Sequence, residues 1–352
     1  MAELSIPKQS NISLKHSKIL TGPSQISYDI TNRCNFRCLH CYNRSGENLV
    51  IKNELNDDET ISFVYDIIKI KPFSFCFCGG EPLLRKKILF KAAKILSSNG
   101  ILVSVVTNGS LVTKKIVNEM IKSGITGVQV SVDGSTKKTH ERLRCFNNSF
   151  QLAKNAIKLF VKSRAFNDIG IAFTPTSFNW NELEKTYRLC AKLGITSFRI
   201  QPLIIQGRTL QQSKDFIPTQ YHYRSIVRKI NQINSEKGVQ IDWGDPIDHL
   251  IRYRTICEHC VNYSHIKANG DIAISPYLPI ILGNVKKYPY SKYWDYGLVR
   301  AWEIILIKNL SNKIKSTKDF GRDDKNISKT WFETDMVLDI IENDLIKGGN
   351  NN

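Results

Sequence analysis

Three cysteines fall within eight residues, in the run Cys34-Asn35-Phe36-Arg37-Cys38-Leu39-His40-Cys41. Soft thiolates held so close in one loop favour a single metal centre, either an iron–sulfur cluster or zinc. A structural zinc site needs four ligands. The one nearby candidate, His40, is the immediate neighbour of Cys41, which makes joint ligation awkward. A cubane held by three thiolates instead leaves one iron open to an outside ligand, as chemistry at the metal requires. The spacing therefore favours the cluster.

Two further runs carry polar groups suited to a ligand. Gly79-Gly80-Glu81-Pro82 supplies two glycines that let the backbone approach closely, then a carboxylate able to hold an ammonium group. A turn closing a strand explains the same residues equally well. Ser131-Val132-Asp133-Gly134 offers a hydroxyl and a carboxylate suited to a ribose, and Asp-Gly is also an ordinary turn. The nine cysteines are an odd number in a long chain without an export signal, which points to reduced thiols or metal ligands rather than a disulfide framework.

The elements that must position these groups follow from periodicity. Strands are expected at Ile26–Ile30, Ser74–Cys78, Val103–Thr107, Gly127–Val132, Asp168–Phe173 and Ser197–Gln201, where β-branched runs recur. Helices are expected at Asp58–Ile70, Lys86–Ser98, Thr113–Ser123, Ser149–Lys162 and Asn181–Leu193, where apolar residues recur every three or four positions. Six β-α units imply an α/β fold with a parallel sheet, open or partly closed into a barrel. Ligands of such sheets bind at the carboxyl ends of the strands. Thr31–Cys41, Gly79–Glu81, Thr107-Asn108-Gly109, Asp133-Gly134, Thr174-Pro175 and Gln201-Pro202 all fall at those ends. One rim collects them.

The pattern divides the chain into an amino-terminal segment, 1–24, a β/α core, 25–210, a smaller α+β extension, 211–310, and a Lys/Asn/Asp-rich arm, 311–352. Fifty Lys and Arg against 32 Asp and Glu give a formal charge of +18, so the surface should attract acidic partners. The basic residues are scattered without a basic–aromatic array, which argues against a nucleic-acid module. No apolar run is long enough to span a membrane and the start lacks a secretory signal, so a cytoplasmic location is expected.

Taken in order, Cys34-x3-Cys38-x2-Cys41, Gly79-Gly80-Glu81-Pro82, Ser131-Val-Asp-Gly134, His140-Glu-Arg-Leu-Arg144 and Gly207-Arg208 resemble the radical S-adenosylmethionine (SAM) superfamily, across about residues 25–210. The resemblance implies a partial (β/α)6 TIM barrel. It implies that Cys34, Cys38 and Cys41 ligate a [4Fe–4S] cluster whose open iron is chelated by the amino and carboxylate groups of SAM. Glu81 and the Gly79-Gly80 backbone would hold the methionine amino group, and Ser131 and Asp133 would lie near the ribose. Arg144 would neutralise the carboxylate, His40 would flank the adenine, and Asn108 joins the cofactor-binding set. An electron from the cluster would cleave the sulfonium to a 5′-deoxyadenosyl radical that abstracts a substrate hydrogen. No general acid or base is assigned.

The extension resembles the SPASM or twitch cluster-binding module of peptide-modifying enzymes, through Cys257, Gly270-Asp271, Pro276 and Leu282-Gly283-Asn284-Val285. It departs at Ser275, where that module usually has a cysteine, and no cysteine follows Cys260. Cys257 and Cys260 therefore mark a second metal site short of ligands, and one cubane is expected. The resemblance implies an enzyme that crosslinks or epimerises a small ribosomal precursor peptide and takes electrons from a flavodoxin or ferredoxin, and the +18 charge would suit an acidic precursor. The alternatives are a radical enzyme acting on a small metabolite or a protein side chain, as sulfatase maturases do, and a non-catalytic cluster-binding protein.

Overall fold

The computed structural model describes residues 21–47, 52–234, 239–244, 247, 250, 261–316, 319 and 335–343. Six strands, β1 (Gln25–Thr31), β2 (Ser74–Gly79), β3 (Leu102–Thr107), β4 (Ile125–Ser131), β5 (Asp168–Phe173) and β6 (Ser197–Ile200), pair in parallel in chain order. Between them run α1 (Asp57–Ile70), α2 (Lys86–Ser98), α3 (Lys114–Lys122), α4 (Lys137–Arg144), α5 (Ser149–Ser163) and α6 (Leu183–Leu193).

Local sequence explains these elements. An Asn56/Glu59 capping box and three acidic residues in the first turn start α1, and Lys71 in the left-handed region ends it. Ile88, Leu89, Ala92, Ala93 and Leu96 make one buried stripe on α2. Period-two alternation turns Tyr28, Ile30, Phe75, Phe77, Val103 and Val105 toward the helices, where all are buried. Tyr28 meets Phe63 edge-on at 5.4 Å and its hydroxyl bonds Thr60 at 3.2 Å, so one residue secures α1 to the sheet. The opposite face carries Ser27, Asp29, Cys76, Cys78, Ser104, Gln129 and Arg199. It is the polar side.

The sheet extends beyond the six expected units. β7 (Gln240–Trp243) pairs in parallel with β6, and β8 (Tyr263–Ile266) pairs in parallel with β1. β9 (Asp271–Ala273) and β11 (Gly283–Asn284) then add antiparallel, giving ten strands with β11 and β7 at the edges. The sheet is thus not closed. β10 (Ile280–Ile281) pairs separately with β12 (Met336–Val337).

The helices α7 (Gln220–Asn234), α8 (Tyr290–Tyr296) and α9 (Ile305–Lys313) complete the described part. Asp66 of α1 accepts hydrogen bonds from the Ser291 N–H and hydroxyl at 2.9 and 2.6 Å, fastening α8 to the core. Trp302, Tyr290 and Tyr293 are among the largest fully buried side chains. Within the β/α core, helix α4 is the connecting helix that periodicity missed: at eight residues it is too short for the apolar repeat to show, yet it carries His140 and Arg144. No helix among the described residues is long and apolar enough to cross a membrane.

Candidate active site

The Cys34–Cys41 loop follows β1 and is clamped from three sides. From β2, the Gly80 N–H bonds the Thr31 carbonyl at 2.8 Å and the Glu81 N–H bonds the Arg33 carbonyl at 2.9 Å. Glycine is needed here: Gly79 has φ +119°, and a Cβ on Gly80 would run into the Arg33 carbonyl. From α4, the Leu143 carbonyl accepts the Leu39 N–H at 2.9 Å, and Phe36 stacks on Phe146 with ring centroids 4.3 Å apart. From the turn after β6, Arg208 donates from Nε to the Cys38 carbonyl at 2.9 Å and from its backbone to the Cys41 carbonyl at 3.0 Å. Its guanidinium also reaches Ser45 and, at 2.7 Å, Glu47.

Each sulfur of the loop has its own donor. The Phe36 N–H points at Cys34 Sγ and the Ser45 N–H at Cys41 Sγ, both at 3.4 Å, while Arg144 reaches Cys38 Sγ at 3.8 Å. Such donors favour thiolates and tune a bound cluster. Burial pushes the Cys38 thiol up to about 12 and raises Cys34, with Arg144 opposing in both cases. Free Cys34 and Cys38 thiols would therefore stay protonated, and a metal must displace those protons. Three uncrosslinked cysteines with a hydrogen bond to each sulfur and a backbone that admits no side chain at Gly80 fit a three-thiolate cluster.

Behind the loop sits a buried polar hub. Asp133, fully buried at the end of β4, accepts the Thr174 N–H at 2.8 Å and faces Arg144 Nε at 2.6 Å and His40 Nε2 at 3.5 Å. The Arg144 N–H is not directed at the oxygen, so charge rather than an aligned hydrogen bond holds this pair. Burial pushes Asp133 up, but the Arg144 guanidinium, helped by the Thr174 N–H, outweighs it and keeps the carboxylate ionised below its ordinary range. The Asp133 N–H donates to His140 Nδ1 at 3.1 Å, and Asn179 donates to its carbonyl at 2.9 Å.

Glu81 is also fully buried, and its oxygens accept from the Leu83 N–H at 3.1 Å, the Thr107 hydroxyl at 2.8 Å and the Asn108 N–H at 2.8 Å. Burial raises it to about 7 against these three donors. Here the carboxylate joins the ends of β2 and β3. Asn108 in turn donates to Asn35 at 3.0 Å, tying the third strand end to the cysteine loop.

The structure thus brings together Cys34, Cys38, Cys41, His40, Gly79, Gly80, Glu81, Asn108, Asp133 and Arg144, with Ser131 at the last position of β4. Cys257 and Cys260 lie outside the described residues. Glu54, which accepts from the Thr31 hydroxyl and the Asn32 N–H at 2.8 and 2.7 Å, was not visible as a site residue because a lone glutamate in a loop has no spacing signature.

These features define a class of protein. Residues 28–190 match the model of the radical SAM superfamily, so the chain carries a radical SAM domain over that stretch. Enzymes of this family use a 4Fe–4S cluster and SAM.

Its similarities to particular proteins fall in two groups. An AdoMet-dependent heme synthase of Methanosarcina barkeri is 25% identical over 78% of this chain and 82% of its own length. The mycofactocin maturase MftC of Mycolicibacterium smegmatis is 26% identical over 66% of this chain and 56% of its own, so the chain spans about half of that relative. Streptococcus suis SuiB, crystallised with its precursor peptide SuiA, shares the fold with a TM-score of 0.63 at 15% identity, over 82% of this chain and 69% of its own.

Proposed function

We propose that this enzyme reductively cleaves SAM at a [4Fe–4S] cluster held by Cys34, Cys38 and Cys41 and uses the resulting 5′-deoxyadenosyl radical to take a hydrogen from a ribosomally made peptide. The single observation that carries the radical chemistry is that three adjacent thiols, each with its own hydrogen-bond donor, stand on the strand-end rim of a radical SAM domain. When bound, the cluster would supply the electron; the protein binds, orients and excludes water.

The surrounding residues have separable tasks in this reading. Arg144 and Asp133 hold the Cys38 side of the loop. The bare Gly79-Gly80 backbone gives SAM a place to lie, with Asn108 and Ser131 flanking it. Glu81 keeps the β2 and β3 ends in register beneath the cofactor and leaves the amino group of SAM to backbone carbonyls unless its side chain turns. His40, neutral because burial pushes it down to about 4, presents a flat ring beside the hub. The electron would come from a flavodoxin- or ferredoxin-type donor.

Peptide as substrate is supported by the maturase relative, by the fold shared with SuiB, and by the +18 charge, which suits an acidic precursor. A second reading, action on a tetrapyrrole, is favoured by the greater coverage of the heme synthase relative. Anaerobic reconstitution followed by a 5′-deoxyadenosine assay tests the chemistry. The wild type is expected to form it and Cys38→Ala to form none. Equal turnover in both would end the radical reading. Mass change in a candidate precursor peptide, but not in an iron porphyrin, supports the peptide; the reverse result selects the second reading.

A further inference from the structure

On the polar face of the sheet, Asp29 of β1, Cys78 of β2 and His265 of β8 stand side by side. Strand register explains this: Asp29 pairs with Cys78, and His265 pairs with Ser27, two residues earlier on the face that Asp29 occupies. One ligand atom from each lies within 4.8 Å of the other two. Asp29 Oδ2 and His265 Nε2 are 3.0 Å apart. Tetrahedral bonds of about 2.0 Å to nitrogen or oxygen and about 2.3 Å to sulfur put donor atoms roughly 3.3–3.6 Å apart, so small side-chain adjustments would bring all three onto one ion.

Independent of this spacing, His265 is only 4% exposed and, among the described residues, neither of its ring nitrogens has an aligned hydrogen-bond partner. The close approach to Asp29 is not aligned as a hydrogen bond. Buried imidazoles are normally satisfied, and a ring whose Nε2 lies 3.0 Å from a carboxylate out of hydrogen-bond alignment leaves that nitrogen available to a ligand. Asn43 donates to Asp29 Oδ2 at 3.3 Å, which helps orient the carboxylate as an outer-sphere partner would. Cys78 is half-buried.

We infer that Asp29, Cys78 and His265 form a mononuclear site for a borderline-soft divalent ion of the zinc or iron(II) type, separate from the Cys34–Cys38–Cys41 centre. A carboxylate, a thiolate and a neutral imidazole exactly cancel no more than two positive charges, so a divalent ion leaves a neutral buried complex. Three protein ligands leave one position open, the pattern of a site that receives an exogenous donor. The inference rests on no choice of substrate.

The test uses the full chain. Wild type reconstituted anaerobically with iron and sulfide, then given zinc and desalted, should retain one zinc per chain, and His265→Gln should retain none. In a Cys34→Ala/Cys38→Ala/Cys41→Ala chain, cobalt(II) should bind one equivalent with thiolate charge-transfer absorption and the visible bands of four-coordinate cobalt. Cys78→Ser should abolish the charge transfer, and Asp29→Asn or His265→Gln should weaken binding by more than the ~10-fold typical of losing an outer-shell partner. Cys257→Ala/Cys260→Ala should leave the spectrum unchanged. Absence of stoichiometric binding, persistence of the thiolate band in Cys78→Ser, or its loss with Cys257 and Cys260 would each overturn the site. Circular dichroism checks folding, and should Cys78→Ser not fold, the zinc count of His265→Gln decides.

Discussion

Arg144 bridges Asp133 and Cys38: its Nε lies 2.6 Å from Asp133 Oδ2 while another guanidinium nitrogen reaches the Cys38 sulfur at 3.8 Å. A buried ion pair therefore sits directly behind one of the three thiols. Removing one partner strands the other charge in a low-dielectric interior. Asp133→Asn should cost about 3–5 kcal/mol in anaerobic urea unfolding, and Asp133→Asn/Arg144→Met should cost less than the sum of the single changes. Additive losses would show that the two charges do not depend on each other.

Acid stability should follow the buried imidazoles. Burial pushes His140 down to about 3 and His40 to about 4 from 6.5, so both are neutral when folded. Below pH 6.5 the unfolded chain binds protons that the folded chain refuses, and stability falls toward pH 4. Glu81 acts in the opposite sense: raised from 4.5 to about 7, it takes its proton earlier in the folded state, and its contribution rises as pH falls through that window. Each group is worth at most about 1.4 kcal/mol per pH unit, so two imidazoles against one carboxyl leave a net loss of roughly that slope. Urea midpoints should drop between about pH 6.5 and pH 4.5, and His140→Gln should flatten the curve. An unchanged slope in that variant would remove His140 from the account.

Arg208 holds the cysteine loop by its Cys38, Cys41 and Ser45 carbonyls. Arg208→Ala should let iron leave faster under chelator, by about 10-fold, as outer-shell losses commonly do. Arg208→Lys should recover little, because one ammonium cannot reproduce a planar fork. Iron release followed by absorbance is the readout. Wild-type rates in Arg208→Ala would mean the loop stands without this clamp.

Gly80→Ala pits a methyl group against the Arg33 carbonyl. A shift of the β2 end should cost about 1–3 kcal/mol and weaken SAM binding together. Calorimetric titration with SAM and thermal unfolding measure both, and normal values in each would show that this backbone approach is not tight.

The sequence by itself determined the triad and the β-α order. Cysteine spacing is a local property, and the apolar periods of α2 or β5 survive folding because the same burial that forms them also writes them. It also placed Gly79-Gly80-Glu81 and Asp133 at strand ends. The tertiary structure alone decided what those groups touch. Glu81 reads as an ammonium ligand, and folding adds Leu83, Thr107 and Asn108 as donors to its oxygens, because a buried carboxylate must find donors wherever the strand ends supply them. Cys78 meets His265 only because β8, nearly two hundred residues later, pairs with β1 and sets His265 two registers from Asp29. No period in a linear chain encodes which distant strand will complete a sheet edge. That choice belongs to the folded core, and with it the company each polar side chain keeps.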